Sequence, residues 1–264
     1  MLRIRNLFFL VLLLLTALGI RAQDFPYRLE WQKEAGLLAV SAGLSAGSHI
    51  LENQMEGLTP AQLAQGQRRH IWFLDRRATH YKSDEFRTLS DDLLRGAMLL
   101  PATLSMSKTA RNRPLVLATM LAETMLLNDG MTKFSKVLIR RRRPLTFNRA
   151  FGVETQRTND ARQSFVSGHT SNTAALSFFT AKVFHDLYPE SRWRPVVWAG
   201  AAALPLLTGY SRYRAGKHFP TDIAAGYALG AVIGIMIPQW HKHDDREGLQ
   251  LGMTGEGIGL TLRW

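Results

Sequence analysis

The sequence contains no cysteine among its 264 residues. This absence excludes disulfide bonds, a thiolate nucleophile, and zinc or iron–sulfur sites with cysteine ligands. Acidic residues are also scarce, with 21 Asp and Glu against 33 Lys and Arg, which gives a formal net charge of +12. A chain this basic suits anionic partners such as phosphate esters, acidic lipid headgroups or nucleic acid, and composition does not choose among them.

The sequence also lacks motifs with the spacing of metal ligands. No pair of histidines shows the HExxH pattern or a comparable carboxylate partner, so we predict neither a metal site nor another cofactor. Histidines outside the clusters discussed below are interpreted as structural or exposed, and they are His49, His70, His80, His185, His241 and His243.

Long uncharged segments are few. A membrane-spanning helix needs about 20 mainly apolar residues; Pro195–Ser211 and Ile223–Trp240 are uncharged throughout, whereas several other candidates fall short. The mean hydropathy of −0.10 is low for a chain whose helices all face lipid. Two interpretations stay open, a membrane-integrated bundle, which we prefer, and a soluble or peripheral periplasmic bundle.

The first 22 residues have the composition of a secretory signal. Arg3 and Arg5 form a basic start, residues 7–20 are uncharged and apolar, and Ala22 precedes a plausible cleavage point. The alternative is a retained signal anchor, because Ile20 stands where a small residue is usual. Export without disulfides is typical of a bacterial envelope protein, and we expect the functional site to face the periplasm.

Helical composition dominates the rest of the chain. Six segments rich in Ala, Leu, Met and Gly predict an all-α six-helix bundle, with helices at 35–51, 91–107, 114–130, 171–187, 195–210 and 222–238. The predicted division is a signal peptide (1–22), N-terminal helices and a loop (23–90), a core bundle (91–240) and a tail (241–264). Alternating apolar residues and glycines in that tail predict a short β-hairpin that turns near Gly255 and Glu256.

The first of three clusters is KVLIRRRRP, from Lys136 to Pro144. Lys136 and Arg143 are seven residues apart, which predicts that they share nearly one face of a helix that Pro144 ends. A compact ammonium and a bidentate guanidinium suit a phosphate dianion. The alternative is a solvated basic run, and the arginines at 140–142 are interpreted as a basic rim or a contact for anionic headgroups.

The second cluster is Ser167-Gly168-His169-Thr170, directly before an apolar helix predicted to begin near Ser171. Backbone N–H groups at such a helix start converge on anions, and Gly168 permits close approach. Ser167 can donate its hydroxyl to a phosphate oxygen, and His169 is suited to protonate a leaving alkoxide. The alternative is a helix cap beside an incidental histidine.

The third cluster is SRYRAGKHFPTD, with Arg212, His218 and Asp222 at intervals of six and four residues. Pro220 suits a first helical turn, which places Asp222 inside that turn and His218 just before it. A carboxylate beside one imidazole nitrogen orients the ring and leaves the other nitrogen to attack. Arg212 adds a cation for the transferred phosphoryl group. Alternatively, Asp222 only caps the helix.

Together the clusters resemble the three signature motifs of the type 2 phosphatidic acid phosphatase and vanadium haloperoxidase superfamily. That pattern is Lys, six residues and Arg-Pro, then Pro-Ser-Gly-His, then Ser-Arg, five residues, His, three residues and Asp. The matching positions are Lys136, Arg143, Pro144, Ser167, Gly168, His169, Ser211, Arg212, His218 and Asp222. Val166 departs from the pattern, which usually has proline there.

The resemblance, which spans about residues 90 to 240, implies a metal-independent phosphatase with a phosphohistidine intermediate. It implies that His218 attacks phosphorus, that Asp222 orients His218, and that His169 protonates the leaving group. The residues implied to hold the phosphate are Lys136, Arg143, Ser167, Gly168 and Arg212. The expected substrate is a lipid phosphate or diphosphate, such as phosphatidic acid or an isoprenyl diphosphate.

Several alternatives accompany this expectation. The same site could accept soluble phosphomonoesters, hold vanadate as in a haloperoxidase, or bind anionic lipid without catalysis. A nucleic-acid partner is not expected, because an exported apolar bundle offers no groove-reading element.

Overall fold

The computed structural model describes residues 25–243, 249–254 and 257–262. The fold is mostly helical, which confirms the predicted fold class in its broad form. The predicted signal segment (1–22) and the predicted turn at Gly255 and Glu256 lie outside the described residues. The predicted core of 91–240 stays a prediction as a domain division, although its first boundary falls inside a helix.

The long helices are α1 (Trp31–Asn53), α2 (Asp84–Leu99), α3 (Pro114–Ile139), α4 (Gly168–Leu187), α5 (Arg194–Arg214) and α6 (Pro220–His241). Short α-helices connect them at Pro60–Ala64, Phe73–Arg76, Lys108–Arg111 and Val153–Arg157. Short 3₁₀ turns lie at Arg68–His70, Arg77–His80, Pro101–Met106, Pro144–Phe147 and Asn159–Arg162. Strands β1 (Leu249–Thr254) and β2 (Gly257–Leu262) pair antiparallel, with Leu249 opposite Leu262.

Local chemistry sets several of these boundaries. Helix α2 begins at Asp84, earlier than the predicted residue 91, because the Ser83 hydroxyl accepts a hydrogen bond from Phe86 N at 3.3 Å. It ends at Leu99, before Pro101, whereas the prediction continued to residue 107. Pro114 and Pro220 occupy the first positions of α3 and α6, where a missing N–H costs nothing.

Helix α4 forms the centre of the bundle and packs against α3, α5 and α6. Its side chains are buried on most of its circumference, and Phe179, Val183 and Leu187 are fully enclosed. Met120 of α3 and Ile237 of α6 complete this apolar core. A central helix buried all round gives the surrounding helix ends a fixed frame.

Three glycines at intervals of four residues bring α6 into backbone contact with α4. A Cβ atom added at Gly226, Gly230 or Gly234 would lie 2.5, 2.0 or 2.5 Å from a carbonyl oxygen of α4 or of Ser167, the residue before it. No real side chain fits at those distances. The glycines therefore set the separation of the two helices and hold the start of α6 beside the start of α4.

Candidate functional site

The three sequence clusters meet at one end of the bundle. The structure brings together the end of α3, the start of α4, the end of α5 and the start of α6. Ser167 N donates to Asp222 O at 3.0 Å, which directly links the second cluster to the third. Residues separated by more than 80 positions in the sequence thus share one site.

His218 lies in the turn before α6 and is completely buried. Its Nδ1 donates to the Ser164 carbonyl at 2.8 Å, which assigns the proton to Nδ1 and leaves a lone pair on Nε2. Arg143 Nη1 lies 3.4 Å from that Nε2. Burial, followed by the charges of Arg143 and Arg212, lowers the pKa of His218 well below 6.5. The imidazole is therefore neutral near pH 7, as a nucleophile requires.

Asp222 acts on His218 less directly than the sequence suggested. Its Oδ2 lies 3.8 Å from His218 Nδ1, beyond hydrogen-bond distance, because the Ser164 carbonyl takes that proton. The carboxylate instead accepts hydrogen bonds from Ser164 Oγ at 2.5 Å and Phe219 N at 2.9 Å. Asp222 therefore holds the residue that orients His218, and it caps α6 as the alternative interpretation stated.

Arg141 is a structural bridge and not part of a solvated rim. Its guanidinium donates to Asp222 Oδ1 at 2.5 Å and to Asp75 Oδ2 at 2.6 Å, and it lies 4.4 Å above the Phe219 ring. Thr221 also donates to Asp75, from its hydroxyl at 2.6 Å and its backbone N–H at 3.1 Å. Nothing in the run of four arginines distinguishes Arg141 from its neighbours.

The prediction that Lys136 and Arg143 share a helix face is wrong. Helix α3 ends at Ile139, and Arg140 follows with a left-handed backbone at φ +52°. Arg143 is extended, with φ −75° and ψ 156°, because a residue before proline is disfavoured in the helical region. Its N–H donates to Ala161 O at 2.8 Å, so the two cations reach the site from different backbone directions.

Lys136, Arg143 and Arg212 form a concentrated positive region around His218. Arg143 is paired with Asp160, whose Oδ1 lies 2.6 Å from Nη2. Burial, with the charge of Arg143 next, lowers the pKa of Lys136 to about 8 and that of Arg212 to about 10. In the described part of the chain Lys136 Nζ has no hydrogen-bond partner, so this cluster is suited to accept an anion.

The catalytic-acid candidate His169 lies in the first turn of α4 and has a partner that the sequence did not reveal. Its Nε2 is 2.9 Å from Asp91 Oδ1 on α2, and Arg212 lies 3.6 Å from the same oxygen. Burial and the charge of Arg212 lower the pKa of His169 to about 4, against the opposing effect of Asp91. Because Asp91 takes Nε2–H, Nδ1 is the nitrogen left for proton transfer.

Three site partners lie at or before the start of the predicted core, since Asp75 and Ser90 precede it and Asp91 is its first residue. Ser90 Oγ accepts from Arg212 Nη1 at 3.2 Å. Asp91 and Asp92 are adjacent and look alike in the sequence, but Asp92 pairs with Arg95 on the surface at 3.0 Å. The two carboxylates differ in the direction that each faces, and the sequence alone does not distinguish them.

The lowered histidine pKa values predict acid sensitivity of the fold. Below pH 6.5 the unfolded chain takes up protons on these two histidines that the folded chain does not, because folding lowers the pKa of His169 to about 4 and that of His218 well below 6.5. The free energy of unfolding should fall as the pH drops from 6.5 towards 5, by up to about 1.4 kcal/mol per pH unit for each histidine. Urea denaturation at pH 7.5, 6.5 and 5.5 measures this slope.

The slope should be smaller in His218→Asn and in His169→Asn. His70 is exposed, so His70→Asn is the matched control and should keep the full slope. Identical slopes in all four proteins would show that other groups cause the acid sensitivity.

Curated relatives match short stretches of this chain. A lipid A 4'-phosphatase from Porphyromonas gingivalis is 37% identical over 73 residues, which cover 28% of this chain and 28% of that protein. Phospholipid phosphatase 1 from Rattus norvegicus is 33% identical over 31% of this chain and 30% of that protein. Phosphatidylglycerophosphatase B from Bacillus subtilis is 32% identical over 28% and 37%. The chain thus spans about a third of the length of these relatives or less.

A solved structure is also similar to the chain. The transmembrane PAP2 type phosphatidylglycerolphosphate phosphatase from Bacillus subtilis is 20% identical, and the alignment covers 88% of this chain and 93% of that one with a TM-score of 0.37.

A family model matches a much longer continuous stretch than the curated relatives do. The model of the PAP2 superfamily matches residues 115–246, which is half of the chain. This stretch contains all three clusters, from Lys136 to Asp222, and four of the long helices. The chain therefore belongs to the PAP2 superfamily.

Proposed function

We propose that the protein is a metal-independent phosphatase that hydrolyses a lipid phosphate or diphosphate through a phosphohistidine intermediate. The observation that carries this proposal is the state of His218. Its Nδ1–H is fixed by the Ser164 carbonyl, and its Nε2 lone pair lies beside Arg143 within the positive region formed with Lys136 and Arg212. The curated relatives of this chain are all named as phosphatases, which agrees with this chemistry.

In the first step His218 Nε2 attacks phosphorus and the bond from phosphorus to the leaving oxygen breaks. Protonated His169 gives its Nδ1 proton to that oxygen, and a bound phosphate raises the pKa of His169 because it adds negative charge nearby. Lys136, Arg143 and Arg212 stabilise the charge on the non-bridging oxygens, as do Ser167 and the Gly168 backbone at the start of α4. Water then attacks phosphorus, His169 takes its proton, and His218 leaves as the neutral imidazole.

An exposed aromatic segment next to the site supports a lipid substrate. Trp72, Phe73 and Leu74 are 53%, 68% and 49% exposed. The next residue, Asp75, is buried and bound to Arg141 and Thr221, so the segment is fixed beside the start of α6. Aromatic residues flanked by the basic residues at 68–69 and 76–77 are typical of contact with an anionic lipid surface.

The outer faces of the helices support membrane association. Within the described residues, α6 is the one helix long and apolar enough to cross a membrane. Exposed large apolar side chains also lie on other helices, including Ile50, Leu126, Leu206 and Leu207. We place α6 across a bacterial envelope membrane, with the site facing the periplasm and residues 1–22 as the export signal. The second candidate is a soluble periplasmic enzyme, favoured by the charged site residues on four helix ends.

Removing the exposed aromatic side chains should lower the turnover of a lipid substrate without lowering that of a soluble one. Trp72→Ala combined with Phe73→Ala is expected to lower turnover of phosphatidic acid in anionic vesicles about tenfold or more, because two aromatic side chains lose apolar contact with lipid. Turnover of a soluble aryl phosphate should stay near wild type. Leu115→Ala, an exposed residue at the far end of α3, is the control. Equal losses on both substrates would place these aromatics in the catalytic machinery instead.

A substrate panel tests the proposed function directly. Purified protein is assayed on phosphatidic acid, undecaprenyl diphosphate and an aryl phosphate, with and without chelator. We expect phosphate release without added metal and inhibition by vanadate, which imitates the pentacoordinate transition state of phosphoryl transfer. Binding of the lipids without any release of phosphate would support a noncatalytic lipid binder. Vanadate-dependent oxidation of halide by peroxide would support a haloperoxidase.

A further inference from the structure

Two carboxylates and one imidazole converge inside the bundle at the end opposite the phosphate site. Glu34 belongs to α1, Glu123 to α3, and His241 is the last residue of α6. Glu123 and His241 are 1% and 2% exposed, and Glu34 is mostly buried. The 19 residues from Asp222 to His241 span about 28 Å of helix, so this cluster is separate from the phosphate site.

The hydrogen bonds of His241 fix one of its ring nitrogens. Nδ1 donates to the Ile237 carbonyl at 2.8 Å, so Nδ1 carries a hydrogen. The other nitrogen, Nε2, lies 3.0 Å from Glu34 Oε1 and 3.2 Å from Glu123 Oε2. In a neutral imidazole the Nε2 lone pair would face two carboxylate oxygens, and this arrangement is repulsive unless a positive charge lies among the three atoms.

A proton on Nε2 would satisfy only one of the two carboxylates. A single N–H points at one acceptor, and Glu34 Oε1 is the nearer oxygen. Both oxygens of Glu123 and the second oxygen of Glu34 are buried without a hydrogen-bond donor among the described residues. A buried carboxylate with neither oxygen paired is strongly unfavourable, so the cluster calls for a ligand that contacts several of these atoms together.

We propose that Glu34, Glu123 and His241 bind one divalent transition-metal ion of the zinc or manganese class. The separations of 3.0 and 3.2 Å between Nε2 and the two oxygens are close to the roughly 3.3 Å edge of a tetrahedron with metal–ligand bonds of about 2.05 Å. Imidazole nitrogen with carboxylate oxygen suits these ions. The Nδ1–H contact to a backbone carbonyl is the outer hydrogen bond that orients a ligating histidine.

Such an ion would link α1 to α3 and α6 and would therefore stabilise the folded protein. Full-length protein, with any affinity tag removed, is treated with chelator and refilled with Zn²⁺, Mn²⁺ or Mg²⁺, and its metal content and melting temperature are measured. We expect about one Zn²⁺ or Mn²⁺ per chain and a melting temperature about 5–10 °C higher at an ion concentration near 100 times the Kd. Mg²⁺ should not substitute.

Glu123→Gln and His241→Gln should lose both the ion and the thermal shift. Glu154→Gln removes an exposed carboxylate and should keep both. If Glu123→Gln does not fold, Glu34→Gln, at the more accessible edge of the cluster, makes the same comparison. Two results would overturn the proposal. In the first, the wild-type chain takes up neither Zn²⁺ nor Mn²⁺; in the second, the Glu123→Gln variant binds as much ion as the wild type. Phosphatase turnover reports separately on the proposed function, and it should survive removal of the ion.

Discussion

Replacing His218 with asparagine is expected to lower phosphatase turnover by about 10⁴-fold or more, because the variant has no nitrogen that can attack phosphorus. Asparagine is similar in size and keeps an N–H for the Ser164 carbonyl, so the buried site should remain folded. Turnover is measured on the substrate that the panel assay identifies. Brief mixing with ³²P-labelled substrate followed by denaturation should trap acid-labile label on the wild-type protein and none on the variant.

His49 provides the matched control. This histidine is exposed on α1, and His49→Asn should keep both the turnover and the trapped label. Turnover in His218→Asn within tenfold of the wild type, by a protein with an unchanged circular dichroism spectrum, would rule out His218 as the nucleophile.

Adding one methyl group at Gly230 is expected to destabilise the protein by about 3 kcal/mol or more, because the new side chain overlaps a packed backbone. The Cβ of Gly230→Ala would lie 2.0 Å from Ser171 O and 2.9 Å from Ala175 N, and neither is a flexible group that can move aside. The helices must separate. Since α4 and α6 both begin in the phosphate site, turnover should fall along with the free energy of unfolding, and both are measured on the same sample.

Gly43→Ala tests whether the loss comes from contact and not from the change of residue type. Gly43 lies within α1, and a Cβ there would meet no atom within 4 Å. Alanine is the better helix former by about 1 kcal/mol, so this variant should be as stable as the wild type or more so. A Gly230→Ala protein as stable as the Gly43→Ala protein would show that the two helices tolerate a wider separation.

The positions of the long helices could be predicted because their signals are local. Pro114 and Pro220 mark helix starts, and apolar composition marks the bodies. The predictions were wrong where longer-range contacts or a single backbone angle determine the path of the chain. Arg140 adopts a left-handed conformation that no residue type in RRRRP demands, and this one angle moves Arg143 off the helix on which its spacing seemed to place it.

The positions of His169 and His218 beside helix starts could be predicted, because each histidine stands in a short motif of its own. Their partners could not be found this way. Ser164 orients His218 through its backbone carbonyl, which is the same in every residue, and Asp91 differs from Asp92 only in the direction that it faces. Partners that act through position, and not through residue type, become visible only once the chain is folded.

The contacts of Asp75, Ser90 and Asp91 mean that the stretch matched by the family model is not a self-sufficient unit. A fragment of residues 115–246 would contain every motif residue, yet Arg141, Arg212 and His169 would each lose a partner. Arg212 is deeply buried, so the fragment would expose its charge or leave it unpaired. The motifs alone thus mark the smallest recognisable piece of the protein, whereas the smallest piece able to work must begin before Asp75.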